Sequence, residues 1–145
     1  MTERADPITI RVPQIDDIRL IQAYDEFHGE RRLDFQRGEL VVADYEDQKA
    51  VGFVKMSNGE FMDCPLISVL FVNEGFRRRG VARALMDHVC RSSKSPFIYL
   101  CTEVSNHGMR ALLLSAGWSE VGHVDEFSSD GERELIFKIG IRRPV

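Results

Sequence analysis

The sequence predicts a mixed α/β domain, with helices on both faces of a single sheet. Three observations carry this. The apolar run Ile67-Ser68-Val69-Leu70-Phe71-Val72 leads through a glycine-containing turn into an amphipathic helix. A second buried-type strand, Phe97-Ile98-Tyr99-Leu100-Cys101, follows that helix, the order expected of a right-handed crossover between parallel strands. Short alternating segments separated by turn residues lie before and after this centre, with no internal repeat.

The elements follow in order. Ile8 to Val12 alternates apolar and polar residues and reads as a strand, which Pro13 ends. Asp16 or Asp17 starts a helix whose apolar face is Ile18, Leu20, Ile21 and Tyr24. The charged stretch from Phe27 to Arg37 reads as a short second helix or a loop, closed by Gly38. Leu40 to Ala43 and Ala50 to Met56 read as strands joined by a turn over Asp44 to Gln48. Asn58-Gly59 is the strongest hairpin signal, because both residues tolerate positive φ, and Glu60 to Val72 would then return as one long strand carrying Asp63. Pro65 inside that strand argues for an edge position or a bulge. Val81, Ala82, Leu85, Met86 and Val89 repeat at helical spacing, so a helix runs from Val81 to Ser93. Asn106 to Ala116 is a second amphipathic helix with Met109, Leu112, Leu113 and Ala116 inward and Gly117 at C′. Val121 to Phe127 and Glu134 to Ile139 form a last strand pair around an Asp130-Gly131 turn.

A chain of 145 residues with 43% hydrophobic and 29% charged residues is long enough for one folded domain, 1–145. A net charge of −4 argues against nucleic acid as a partner. No apolar run approaches the length of a membrane span and the first residues lack a signal-peptide core, so the expected location is cytoplasmic. Cys64, Cys90 and Cys101 form no CxxC and no zinc spacing, and read as reduced thiols with no metal.

The chemistry concentrates at Arg77-Arg78-Arg79-Gly80-Val81-Ala82, with Arg83 just beyond. The first turn of a helix offers free N–H groups and a partial positive charge, which suit a phosphate. Gly80 lets the backbone approach a ligand, and guanidinium forks match phosphate oxygens. The same arginines could instead form a solvated basic turn, and context must decide between the two readings.

That segment resembles the Arg/Gln-x-x-Gly-x-Gly/Ala signature of the GCN5-related N-acetyltransferase (GNAT) family. A second block supports the resemblance: the strand to Cys101, then Asn106, the helix from Met109 to Ala116, and Gly117-Trp118. The resemblance covers essentially the whole chain. It implies a mostly antiparallel sheet of about seven strands and four helices, with a parallel pair that splays apart. It implies acetyl-CoA as donor, its pyrophosphate on the N–H groups from Arg78 to Ala82. The pantetheine arm would pair with the strand end Leu70-Phe71-Val72, through Leu70 and Val72, and Asn106 would contact that arm or order the loop. Homodimers are common in the family, and this chain is open to that arrangement. The family's Tyr, seven residues after the Asn, is Leu113 here, which leaves the general acid unassigned.

Acyl transfer to an amine requires removal of an ammonium proton. Asp63 and Glu103 are the candidate bases, each with an ordinary surface carboxylate as its plain alternative. Asp25, Glu26, Glu30, Asp34, Asp125 and Glu126 would make an acidic rim that draws a cationic acceptor, a small-molecule or peptide amine. The expected function is direct N-acetyl transfer in a ternary complex. The alternative is a CoA-binding regulatory module with little turnover, which Leu113 favours.

Overall fold

The computed structural model describes residues 6–141. The element order is β1 (Ile8–Arg11), α1 (Ile15–Gln22), α2 (Arg31–Gln36), β2 (Leu40–Tyr45), β3 (Gln48–Phe61), β4 (Cys64–Val72), a 3-10 turn (Glu74–Phe76), α3 (Val81–Ser92), β5 (Phe97–Glu103), α4 (His107–Ser115), β6 (Ser119–Val124) and β7 (Glu134–Gly140). The strands form one sheet in the order β1-β2-β3-β4-β5-β7-β6. Among the described residues the parallel pair is β4 with β5, in register at Leu66↔Tyr99 and Ile67↔Leu100. The chain clusters into two compact units, Met1–Met56 with Val69–Val89, and Ser57–Ser68 with Cys90–Val145.

In the first unit, Ile18, Ile21, Leu40, Val42, Ala50 and Phe53 form a buried core, with Tyr24, Phe35, Val69 and Phe71 packed against it. Two ionic knots lie around this core. Arg11 grips Asp17 with NH1 and NH2 at 2.7 and 2.9 Å, and Asp44 with Nε and NH2 at 2.7 and 3.0 Å. One guanidinium thereby joins β1, α1 and β2. Its hydrogen bonds hold the Asp17 carboxyl below the usual carboxylate range. At Asp44 burial works the other way, but Arg11 and the Ala50 N–H outweigh it and the carboxyl is again lowered. In the second knot Arg31, Asp25 and Asp34 are all buried. Arg31 donates to Asp25 at 2.7 Å and to Asp34 at 2.9 Å, while Lys55 approaches Asp34 at 3.2 Å.

In the second unit, β5 pairs with β7 from Phe97↔Gly140 to Glu103↔Glu134. Helix α4 begins on Asn106, whose Oδ1 accepts the Met109 N–H at 3.2 Å. It ends in a Schellman closure: Trp118 N–H reaches Leu113 O, Gly117 N–H reaches Leu114 O, and Gly117 adopts φ +92.

The structure corrects several expectations. The hairpin does not turn at Asn58-Gly59. Strand β3 runs on to Phe61, and the turn is Met62-Asp63, at φ 51 and 58. The register explains this: Ser57 Oγ meets Ser68 Oγ across the ladder at 2.8 Å, and those residues are equidistant from Met62-Asp63. Asp63 therefore sits in the turn rather than on the returning strand. Pro65 lies on an interior strand, just before the parallel rungs begin at Leu66. Leu20 is exposed, because with Ile18 and Ile21 at the centre of the inner face of α1 it points outward. Asp130-Gly131 makes a turn inside a connection that spans 125–133, not a tight hairpin, since β6 stops at Val124. Asp25 and Asp34 do not belong to an acidic rim, because both are buried against Arg31.

Replacing Arg31 with Met should cost about 3–5 kcal/mol in urea unfolding, because it strands two buried carboxylates. Asp17 and Asp44 have lowered folded pKa values, so their stabilisation is complete above the unfolded carboxylate value of about 3.9 and is lost as pH falls through the folded values. Acid melts of Asp17→Asn and Asp44→Asn should show a lower plateau at neutral pH and a flatter acid limb than the parent.

Candidate active site

The strand-to-helix junction is built from its backbone upward. Strand β4 ends at Val72, and the Asn73 N–H bonds Val51 O at 2.8 Å, which fixes the strand end against β3. The 3-10 turn follows, with the Phe76 N–H on Asn73 O. Arg78 then takes φ +63 and Gly80 φ +85, so two left-handed residues flank Arg79. Such turns aim successive N–H groups in one direction, an arrangement suited to anions. The Gly80 carbonyl accepts the Ala84 N–H at 3.0 Å, the first bond of α3. A glycine at this position supplies no side-chain oxygen to cap the N–H groups of the first turn, which belong to Val81, Ala82 and Arg83. The Val81 side chain is buried and anchors the helix start.

The arginines divide their work. The Arg77 Nε donates to Val72 O at 2.9 Å, and its guanidinium lies 5.0 Å from the centre of the Phe71 ring. Arg77 therefore braces the turn against the strand end. The Arg79 guanidinium stands over Tyr45 and Phe76 at 5.2 and 5.6 Å. Arg83 pairs with Asp87 one turn along α3. Arg78 and Arg79 are both exposed at the helix start. The Val72 carbonyl points away from β3, as its bond to Arg77 shows, and Leu70 shares that direction by strand alternation.

Phe71 gathers a cluster of its own. Tyr24 stacks on it at 6.1 Å and 16°, and Phe27 meets it edge-on at 5.6 Å. The Tyr24 hydroxyl donates to Ala50 O at 2.7 Å, and burial raises its pKa, so it stays protonated. No sequence signal marked this aromatic group, because its members lie far apart along the chain.

Asp63, Glu103 and Asn106 belong to the second unit. Asp63 is exposed in the hairpin turn. Glu103 ends β5 as an exposed residue, and slight local desolvation, then Glu132, hold its carboxyl above the usual range. Asn106 is engaged as the cap of α4, which orders the loop between β5 and that helix. Leu113 is 0% exposed and Trp118 is also core. Burial pushes the Cys101 thiol up to about 11, so it is not a thiolate nucleophile at neutral pH. Among the described residues, no helix is long and apolar enough to cross a membrane.

Comparison with known proteins bears on the family and the fold. A family model described as the acetyltransferase (GNAT) family matches residues 9–118. The fold is similar to that of a GNAT-family acetyltransferase from Bacillus cereus, at 26% identity and a TM-score of 0.84, over 94% of this chain and 99% of the other. It is similar to the ribosomal-protein-S18-alanine N-acetyltransferase of Escherichia coli, at 19% identity and a TM-score of 0.77, over 95% and 96%. It is similar also to Arabidopsis thaliana Naa50 in complex with the bisubstrate analogue CoA-Ac-MVNAL, at 14% identity and a TM-score of 0.76, over 93% and 99%. No curated protein matches the chain.

An added Cβ at Gly80 would meet nothing closer than Ile8 Cδ1 at 3.8 Å, so Gly80→Ala is strained only through its φ. That variant should lose about 1 kcal/mol of stability and keep ligand affinity within a few-fold. Gly80→Glu carries the same strain and adds a carboxylate at the helix start. Calorimetry with CoA should show its affinity fall by more than about tenfold. Equal affinity in the two variants would remove the phosphate site from this turn.

Proposed function

The chain belongs to the acetyltransferase (GNAT) family, and from that premise we propose that it is an acetyl-CoA-dependent N-acetyltransferase that acetylates the primary amine of a peptide or protein by direct attack on the bound thioester. The observation that carries the donor half is the uncapped start of α3 behind the left-handed residues Arg78 and Gly80. In this reading the N–H groups of Arg78 to Ala82 take the pyrophosphate, with Arg79 and Arg83 adding charge at the rim. The strand end Leu70-Phe71-Val72 receives the pantetheine amides through main-chain bonds. Arg77 keeps that strand end in place through Val72 O and Phe71. Asn106 acts through the loop it orders.

Glu103 is the proposed base. A carboxylate with raised proton affinity is better matched to taking a proton near neutral pH than an ordinary one. Asp63 in the hairpin turn is the second candidate. The Cys101 thiol is held protonated, which supports direct transfer over an acyl-cysteine intermediate. Leu113 offers no proton at the family's general-acid position, so that position does not assist the leaving CoA thiolate. The acceptor class rests on the E. coli S18-alanine enzyme and on Naa50 with its CoA-Ac-MVNAL analogue. The rim gives polycations less support, since Asp25 and Asp34 are neutralised within the fold.

Release of CoA thiol should be followed with acetyl-CoA and a panel of peptide N-termini, lysine peptides and polyamines. Peptide amines should turn over fastest. Glu103→Gln should lower kcat by about 10²-fold or more, and Asp63→Asn by less than about threefold. The reverse ranking would transfer the base role to Asp63. CoA binding without thiol release for any amine would overturn the catalytic reading.

A further inference from the structure

Glu103 occupies an unusual rung of the sheet. It is the last residue of β5, and its cross-strand partner in the antiparallel ladder is Glu134 of β7. Like charges placed directly opposite destabilise a strand pair. A third carboxylate is pinned beside them. Glu132 Oε1 accepts the Ser105 N–H at 2.7 Å, and the Val104 N–H bonds Arg133 O at 3.0 Å. The segment just after Glu103 is thus stitched to the segment just before Glu134, and the Glu132 carboxylate is held over the turn that leaves β5. Helix α4 contributes the Arg110 guanidinium, which bonds Val104 O at 2.9 Å. The Arg133 guanidinium is occupied by Asp125 at 2.6 Å.

We propose that Glu132 and Glu134 are positioning residues for Glu103, setting the carboxylate that takes the proton from the acceptor ammonium. The inference rests on Glu103 being the base. In that step the ammonium N–H bond breaks and an O–H bond forms on Glu103. The freed nitrogen lone pair then forms the C–N bond to the thioester carbonyl while the C–S bond breaks and its electron pair leaves on sulfur, and the second amine proton passes to that thiolate, which gives the amide and the CoA thiol. The neighbourhood is arranged for the first half of this exchange. Glu132 stays ionised, because hydrogen bonding from Ser105 holds it below the usual range. Glu134 is partly buried, and burial, then Glu103 and Glu132, raise its own proton affinity. The other titratable groups nearby are Asp130 in the same connection and Cys101 two residues back on β5. Glu132, ahead of Asp130, is the neighbour that raises the Glu103 proton affinity, and across the shared rung Glu103 and Glu134 face each other as like charges.

The test is the pH dependence of kcat/KM for acetyl transfer, measured with stability on the same variants. Glu132→Gln keeps a side-chain oxygen for the Ser105 N–H, and Glu134→Gln removes the opposed charge from the rung. Both should move the acid limb to lower pH by about half to one unit, since each removes a negative neighbour from Glu103. Glu134→Gln should also melt no lower than the parent, which separates positioning from support of the fold. Acid limbs that superimpose on the parent, while Glu103→Gln abolishes its own limb, would overturn this inference alone. An unchanged acid limb in Glu103→Gln would overturn the base assignment, and this inference with it.

Discussion

The first unit depends on the two hydrogen bonds that hold Ala50. This residue adopts φ +49, a conformation that costs a β-carbon about 1–2 kcal/mol. Its N–H is taken by Asp44 at 2.8 Å and its C=O by the Tyr24 hydroxyl at 2.7 Å. Asp44 is itself held by Arg11, which also holds α1 through Asp17. Tyr24 stacks on Phe71, and Phe71 lies under Arg77, which bonds Val72 O. An unbroken series of contacts therefore runs from the β1–α1–β2 knot to the strand end that precedes the turn into α3. The kinked backbone at Ala50 brings Tyr24 to the rings it stabilises.

The two halves of the chemistry are built by different means. In the proposed function the donor half is backbone: left-handed residues, an open helix start and a strand end, with side chains acting mainly as braces. Backbone sites of this kind tolerate wide sequence change, because their donors do not depend on residue type. The proton half is made of side chains, and there the chain departs from its family at Leu113. A leucine that is fully enclosed in the core adds packing where the family carries a phenol.

Much of this was legible in the sequence, and the rest was not, for identifiable reasons. Gly80, Gly117 and Asn106 could be read because a local backbone requirement selects their residue type. The order of seven strands and four helices could be read because apolar period and turn residues agree over short windows. Asn58-Gly59 misled because its turn propensity is local, whereas the register is set across the ladder by pairs such as Ser57 and Ser68. Met62-Asp63 accepts positive φ without either residue being a glycine. Asp25 and Asp34 looked like surface charge because nothing in their own neighbourhood announces that Arg31 is buried between them. The Glu103–Glu134 rung was equally hidden, since the partners are thirty-one positions apart and only strand pairing makes them neighbours.

The open start of α3 has a consequence beyond catalysis. A helix that lacks its own cap is completed by whatever anion occupies its first turn. With the donor seated there as proposed, it would double as a piece of secondary structure, and ligation and folding would become one linked equilibrium. Lifetime of the protein against local opening and proteolysis would then follow the supply of acyl-CoA, so that the enzyme persists where its donor is abundant and is cleared where it is scarce.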